Sequence, residues 1–196
     1  MMVLQRWQEL YARAESASKV FFSEHFGDLC ARCAKAAETA VDPSICCCRR
    51  TNFVPEILTD PLLGGLADEG LGHSLYVLSG PHNTRGCAAL GPDGCLIPFG
   101  RPDPCHAYIC DALYDSLEAT LPLDLLCRLR DALEVYSRIR EAPRRDDCEF
   151  HRCVEQVTEL EALFSLSSEQ IRAQSAAFAL RKEEALREML PPAVVR

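Results

Sequence analysis

Glycine is scarce over most of this chain, long apolar runs are missing, and positive charge is in deficit. Nine of the ten glycines lie between Gly64 and Gly100, which leaves the remainder largely clear of the strongest helix breaker. No apolar run approaches the ~20 residues that a membrane-spanning helix needs, so the sequence predicts no membrane association. The N-terminal stretch reaches Arg6 and Glu9 too early to supply the apolar core of a secretory signal, which predicts a cytoplasmic protein. Acidic residues outnumber basic ones by 29 to 21, for a net charge of -8, and this argues against a general nucleic-acid binder. Such a protein needs a basic face strong enough to release counterions from phosphates. There is no internal repeat and no low-complexity tract.

What is present is helical patterning and an unusual number of thiols. A length of 196 residues suits one domain, or one with a helical appendage, and can bury a hydrophobic core without disulfides. Leu4, Trp7, Leu10, Tyr11 and Ala14 recur at helical spacing, and Val20, Phe21, Phe22, Phe26 and Leu29 continue the apolar content, predicting helix over 3 to about 38 with Gly27 as a break or bend. The Gly64–Gly100 stretch, which also holds Pro81, Pro92 and Pro98, reads as loop with one short strand over Leu75–Leu78. Helical pattern returns from Cys105 to Glu118, and again after Pro122 through Leu125, Leu126, Leu129, Leu133, Tyr136 and Ile139. A third stripe, Cys153, Val157, Leu160 and Phe164, follows Pro143. Ser167 and Gln170 have the form of a capping box, with Leu166 and Ile171 as its staple, which starts a last helix running to about Leu190 before Pro191 and Pro192. The predicted fold is mainly α: a cysteine-cluster domain over 1–110 and a C-terminal antiparallel helical bundle over 111–196, or the two as one continuous domain.

Nine of the twelve cysteines are clustered. Cys30-x2-Cys33 has the spacing that turns two sulfurs toward one ion, as in zinc and iron–sulfur half-sites, although a pair of core cysteines one helical turn apart has the same spacing. Cys46, Cys47 and Cys48 are adjacent, and adjacent side chains on extended backbone point to opposite sides, so the triplet hints at two centres sharing the segment. Cys87, Cys95, Cys105 and Cys110 form the later group. Cys105 and Cys110 fall near a predicted helix start, where backbone N–H groups favour thiolate, and Pro102 and Pro104 stiffen the approach. Arg49, Arg50, Arg85 and Arg101 lie beside these cysteines and could offset a thiolate-rich site's negative charge. His106 reads as a surface or supporting residue more than as a ligand. Cys127 and Cys153 read as core, and Cys148 with His151 as a half-site lacking its second pair.

The order Gly94-Cys95, Arg101-Pro102, Cys105 and Tyr108, following a C-x2-C and vicinal cysteines, resembles the zinc- or iron-chelating CxxCxxCC cysteine-cluster family (YkgJ-like) over residues 30–110. That family packs its first block as C-x2-C-x2-C-C, whereas here twelve residues separate Cys33 from Cys46 and a third cysteine joins the pair. The resemblance implies Cys95 and Cys105 as ligands first, then Cys47 and Cys48, then Cys30, Cys33, Cys87 and Cys110, with Cys46 in reserve. Eight thiolates suit two tetrahedral zinc sites or two iron–sulfur cubanes, and sequence does not choose between these cofactors.

The function expected is thus metal binding in a structural or electron-transfer role, with the metal clamping a loop that cannot hold itself. Similar clusters occur attached to protein-lysine methylases acting on flagellin, which makes an enzyme or accessory with an open coordination position the alternative. No methyl-donor site, nucleotide loop or catalytic set is fixed by spacing, and Glu56, Asp60, Asp68 and Glu69 read as solvated loop or cap residues. An exposed helix face leaves room for a protein partner, although the apolar stripes suit core better.

Overall fold

A computed structural model describes residues 2–39, 54–71, 90–91, 94–95, 97, 99–107, 109–142 and 147–189. The protein is mainly helical: α1 (Met2–Thr39), α2 (Val54–Thr59), α3 (Pro61–Leu71), α4 (Asp103–Ala107), α5 (Asp111–Glu118), α6 (Leu123–Ala132), α7 (Val135–Glu141), α8 (Asp147–Ala173) and α9 (Ser175–Met189). The described strands are β1 (Leu90–Gly91) and β2 (Gly94–Cys95), an antiparallel pair with Leu90 opposite Cys95 and Gly91 opposite Gly94.

α1 is the spine of the molecule. Trp7, Leu10, Tyr11, Ala14, Phe21, Phe26 and Leu29 are all buried, and their three- and four-residue spacing places them on one face. That face packs mainly on α8, with further contacts to α3 and α7. α8 answers with Cys153, Val157, Leu160, Leu163 and Phe164, so the stripe expected there is core. Gly27 does not break the helix, because α1 continues to Thr39. A single glycine costs a helix only about 1 kcal/mol, and the flanking Phe26 and Leu29 are buried deeply enough to outweigh it.

α3 overturns the loop reading for residues 64–71, and the rest of that stretch up to 89 lies outside the described residues. Asp60 Oδ1 accepts from the Leu62 and Leu63 N–H groups at 2.9 and 3.2 Å, and Pro61 occupies the first helical position, where its missing N–H costs nothing. These start signals prevail over Gly64, Gly65 and Gly70. Gly65 lies under Gln8, and an added Cβ would stand 2.2 Å from Gln8 Nε2. The Gln8 amide donates to the Pro61 and Leu62 carbonyls at 3.3 and 3.4 Å, tying α3 to α1.

Three expected helices are divided differently in the structure. The segment expected as one helix from Cys105 to Glu118 is two, since Cys110 is extended at φ -66° and ψ 158° and α5 begins after it. The stripe after Pro122 is also split, with Leu133 and Glu134 forming a turn between α6 and α7 while Leu129, Leu133, Tyr136 and Ile139 remain buried. The capping box is absent: α8 runs straight through Ser167 to Ala173. Ser167 is fully buried in the helix interior, and its Oγ has no hydrogen-bond partner. The turn instead falls at Gln174, whose amide donates to the Thr120 carbonyl at 3.0 Å and so anchors the junction to the end of α5. The strand expected over Leu75–Leu78 lies outside the described residues.

Candidate metal centre

The cysteine-bearing segment after β2 is held against the middle of α1 by a buried polar cluster. Tyr11, Glu15 and Ser18 recur on the inner face of α1 at helical spacing, and Glu15 is fully buried there. A carboxylate in that position is costly unless its lone pairs are occupied. They are: the Gly100 N–H donates to Oε2 at 2.5 Å, and the Arg101 N–H donates to Oε1 at 3.1 Å. Arg101 Nε donates to Oε1 at 3.4 Å, and His106 Nε2 lies 3.0 Å from the same atom. Tyr11 adds a second tie from α1, its hydroxyl donating to the Arg101 carbonyl at 2.5 Å.

Tyr136 of α7 closes the cluster. Its hydroxyl donates to the Ala14 carbonyl at 2.8 Å and pairs with Ser18 Oγ. Its ring stacks on His106 with centroids 4.0 Å apart and planes at 14°. Burial pushes the His106 imidazole below its ordinary pKa, against the opposing pull of the Glu15 hydrogen bond, and since an ionised carboxylate only accepts, Nε2 is the donor in that bond. Burial raises the Tyr11 and Tyr136 phenols, and the Glu15 charge raises both further. His106 is therefore neither a surface residue nor placed as a ligand; it is a buried member of the cluster.

Gly100 shows how tightly the segment is seated. Its φ is +82°, in the left-handed region, and an added Cβ would stand 2.3 Å from the Leu63 carbonyl oxygen and 2.9 Å from the Ala67 amide nitrogen. Only glycine fits both demands.

The downstream end of the segment is fixed by Arg140 of α7. Its guanidinium meets Glu56 Oε1 at 2.5 Å, Asp60 Oδ2 at 2.8 Å and Asp103 Oδ1 at 2.6 Å, and Ser137 Oγ donates to Asp103 Oδ2 at 2.8 Å. Asp103 opens α4, the helix that carries Cys105. Burial works against the Arg140 charge, but the hydrogen bonds to Asp60, Asp103 and Glu56 outweigh it and raise its pKa. Asp60 is thus a cap, as its position suggests, and an ion-pair partner as well. The Asp68 and Glu69 side chains lie outside the described residues.

The predicted site residues fall into three groups. Cys95 on β2 and Cys105 on α4 are exposed and both act on the Arg101 guanidinium. Burial lowers the Arg101 pKa, but its acidic neighbours, the Glu15 carboxylate first, overcome this and hold it above its ordinary value. Both thiols are thus electrostatic neighbours of one side chain. Cys110, half-buried, immediately precedes α5, and Cys30 is exposed on α1, about 22 Å along the helix axis from Glu15 at 1.5 Å per residue. Cys47, Cys48 and Cys87, with Cys46, lie outside the described residues, as does the Cys33 side chain. Among the described residues no group of three or more His, Cys, Asp or Glu side chains is arranged to hold a metal ion. The donor set fits a metal in its chemistry: thiols are the ligands that zinc and iron–sulfur clusters take, and Cys95 and Cys105 are solvent-accessible. Cys153 is buried and Cys127 half-buried, in keeping with packing roles, while Cys148 and His151 are exposed.

Sequence reasoning missed Glu15, Tyr11 and Tyr136 as site-supporting groups. The signal available was a carboxylate on the apolar stripe of α1, four residues after Tyr11. A groove of about 640 Å³ between α1 and α8, with Arg13, Val20, Phe21, Glu24, Phe164 and Arg172 in its walls, contains no cysteine. Both arginines there are already paired, Arg13 with Glu161 and Arg172 with Glu24.

No protein-family model matches the chain, and neither a curated protein nor a solved structure matches it. Among the described residues no helix is long and apolar enough to cross a membrane.

Proposed function

We propose that the protein binds metal through clustered cysteine thiolates, holding zinc or an iron–sulfur cluster in a structural or electron-transfer role. The ligands in this reading are drawn from Cys30, Cys33, Cys47, Cys48, Cys87, Cys95, Cys105 and Cys110. The observation that carries it is that Cys105 stands, with Arg101, in a segment whose backbone is fixed to α1 by the buried Glu15, and that Cys95 and Cys105 are both exposed. A guanidinium beside thiols favours their ionised, metal-binding form, and four thiolates on a divalent ion leave negative charge that it offsets. Bound metal would clamp the glycine- and proline-rich stretch leading into Cys95. Reduced thiols in such number belong to a reducing compartment, which supports a cytoplasmic location.

Metal stoichiometry of anaerobically purified protein tests this, with Cys95→Ser and Cys105→Ser measured alongside. Each substitution is expected to lower bound metal, and full metal content in both variants overturns the ligand assignment. Visible absorption with labile sulfide identifies an iron–sulfur cluster, and a colourless protein carrying zinc identifies a thiolate zinc site. Stoichiometric disulfides without metal, in protein taken from cytosol, would sink the reading.

A further inference from the structure

We propose that Glu15 is the positioning residue of the thiol site: from the middle of α1 it holds segment 100–106, and so sets where Cys105 and the Arg101 charge stand relative to Cys95. This inference rests on the metal-binding reading. It adds a residue that is no candidate ligand and that lies far from any cysteine in sequence.

The geometry behind it is one-sided. Among the described residues, the hydrogen bonds that Glu15 accepts from other elements come from the same short segment: Gly100 N–H, Arg101 N–H, Arg101 Nε and His106 Nε2. Nothing from α8, the main packing partner of α1, donates to it in these bonds. Had the carboxylate served packing alone, an apolar side chain would do as well, since replacing a buried ion pair by well-packed apolar groups is often neutral or stabilising. A carboxylate is needed where two backbone amides and two side chains must be fixed together. Those amides flank Arg101, and the imidazole belongs to the residue after Cys105. Tyr11 reinforces the same segment from one turn earlier on α1, through the Arg101 carbonyl. The backbone at Gly100 is pressed onto α3 closely enough to exclude a methyl group, so a segment released by Glu15 has no alternative seat on that side.

The test is a Co(II) titration of the full-length, reduced, metal-free chain, following the thiolate-to-cobalt absorption. Glu15→Gln keeps the size but supplies one acceptor oxygen and turns an amide toward donors. It is expected to weaken Co(II) binding about 10–100-fold, the range for losing an outer partner of metal ligands, and to alter the absorption band. Phe21→Leu weakens the same helix away from the segment and is expected to bind Co(II) as the unaltered chain does. Equal affinity and an identical spectrum in Glu15→Gln overturn the proposal while leaving the metal reading intact. Equal weakening in Phe21→Leu overturns it too, because general destabilisation then accounts for the loss. An unaltered chain that takes up no Co(II) and carries no metal as purified overturns the metal reading and this proposal with it. Should Glu15→Gln fail to fold, Tyr11→Phe carries the test by removing one hydrogen bond to the same segment. About a fivefold loss is expected, the equivalent of a single net hydrogen bond, and no loss overturns the proposal.

Discussion

The interface of α1 with α8 and the seat of segment 99–106 on α1 use one helix in two different ways. Along α8, α1 offers rings: Phe21 stacks on Phe164 with centroids 4.7 Å apart and meets Phe22 and Phe26 edge-on or tilted. Under segment 99–106 it offers a carboxylate and a phenol, and the partners are mostly backbone groups. The apolar interface depends on volume, because dispersion and burial are non-directional. The polar seat depends on position, because each hydrogen bond has one geometry and a buried group left unpaired is expensive. A segment with only one short helix of its own, Asp103–Ala107, is best held by the second kind of contact.

That contrast can be broken from either side. The largest effect should come from emptying the ring cluster: Phe21 is buried, and Phe21→Ala is expected to cost about 3–5 kcal/mol in urea unfolding. Phe21→Leu should recover much of that, since volume is what the site reads; an equal loss in both would show that ring geometry governs instead. A smaller change in volume should be felt nearly as strongly on the polar side. Gly100→Ala adds a single methyl, yet it meets backbone from α3 and a positive φ, so a loss of about 2–4 kcal/mol is expected. A loss below that of a surface substitution would mean that the segment is not seated as described.

The smallest effect concerns pH. Burial lowers the His25 pKa from its usual 6.5, with Arg172 and Lys182 lowering it further against the pull of Glu24, and its ring bonds Ser168 Oγ at 2.9 Å. The unfolded chain therefore takes up this proton first as pH falls. His25 contributes stability that is complete above about pH 6.5 and is lost as pH drops through the lower folded value. Unfolding midpoints measured at stepped pH should fall less steeply in His25→Gln across that window, and an unchanged slope would remove His25 from the account.

The sequence was legible where periodicity and burial agree. The stripes of α1 and α8 fall on the core because their apolar residues recur at helical spacing for many turns. It misled where a local signal met a stronger tertiary one. Ser167 and Gln170 form a good capping box in isolation, but Leu163, Phe164 and Ile171 are buried on both sides of it, and continuing α8 keeps all three in the core. Gly64 and Gly65 look like loop until Asp60 and Pro61 are weighed as a helix start. For the site, the cysteines announced themselves by type and grouping. Glu15 was marked only by its place on the apolar stripe of α1, which does not tell what it binds: its donors lie 85 to 91 residues away, and only the folded chain brings them together.

The Arg140 clamp carries a consequence in time as well as in space. Its acceptors include Asp60 and Asp103, 80 and 37 residues distant in sequence, and they belong to the start of α3 and to α4. Loop closure over such spans gains nothing until both ends are already in place. The clamp is therefore expected to act as a late latch: Arg140→Ala should speed unfolding more than it slows refolding, as stopped-flow kinetics would show.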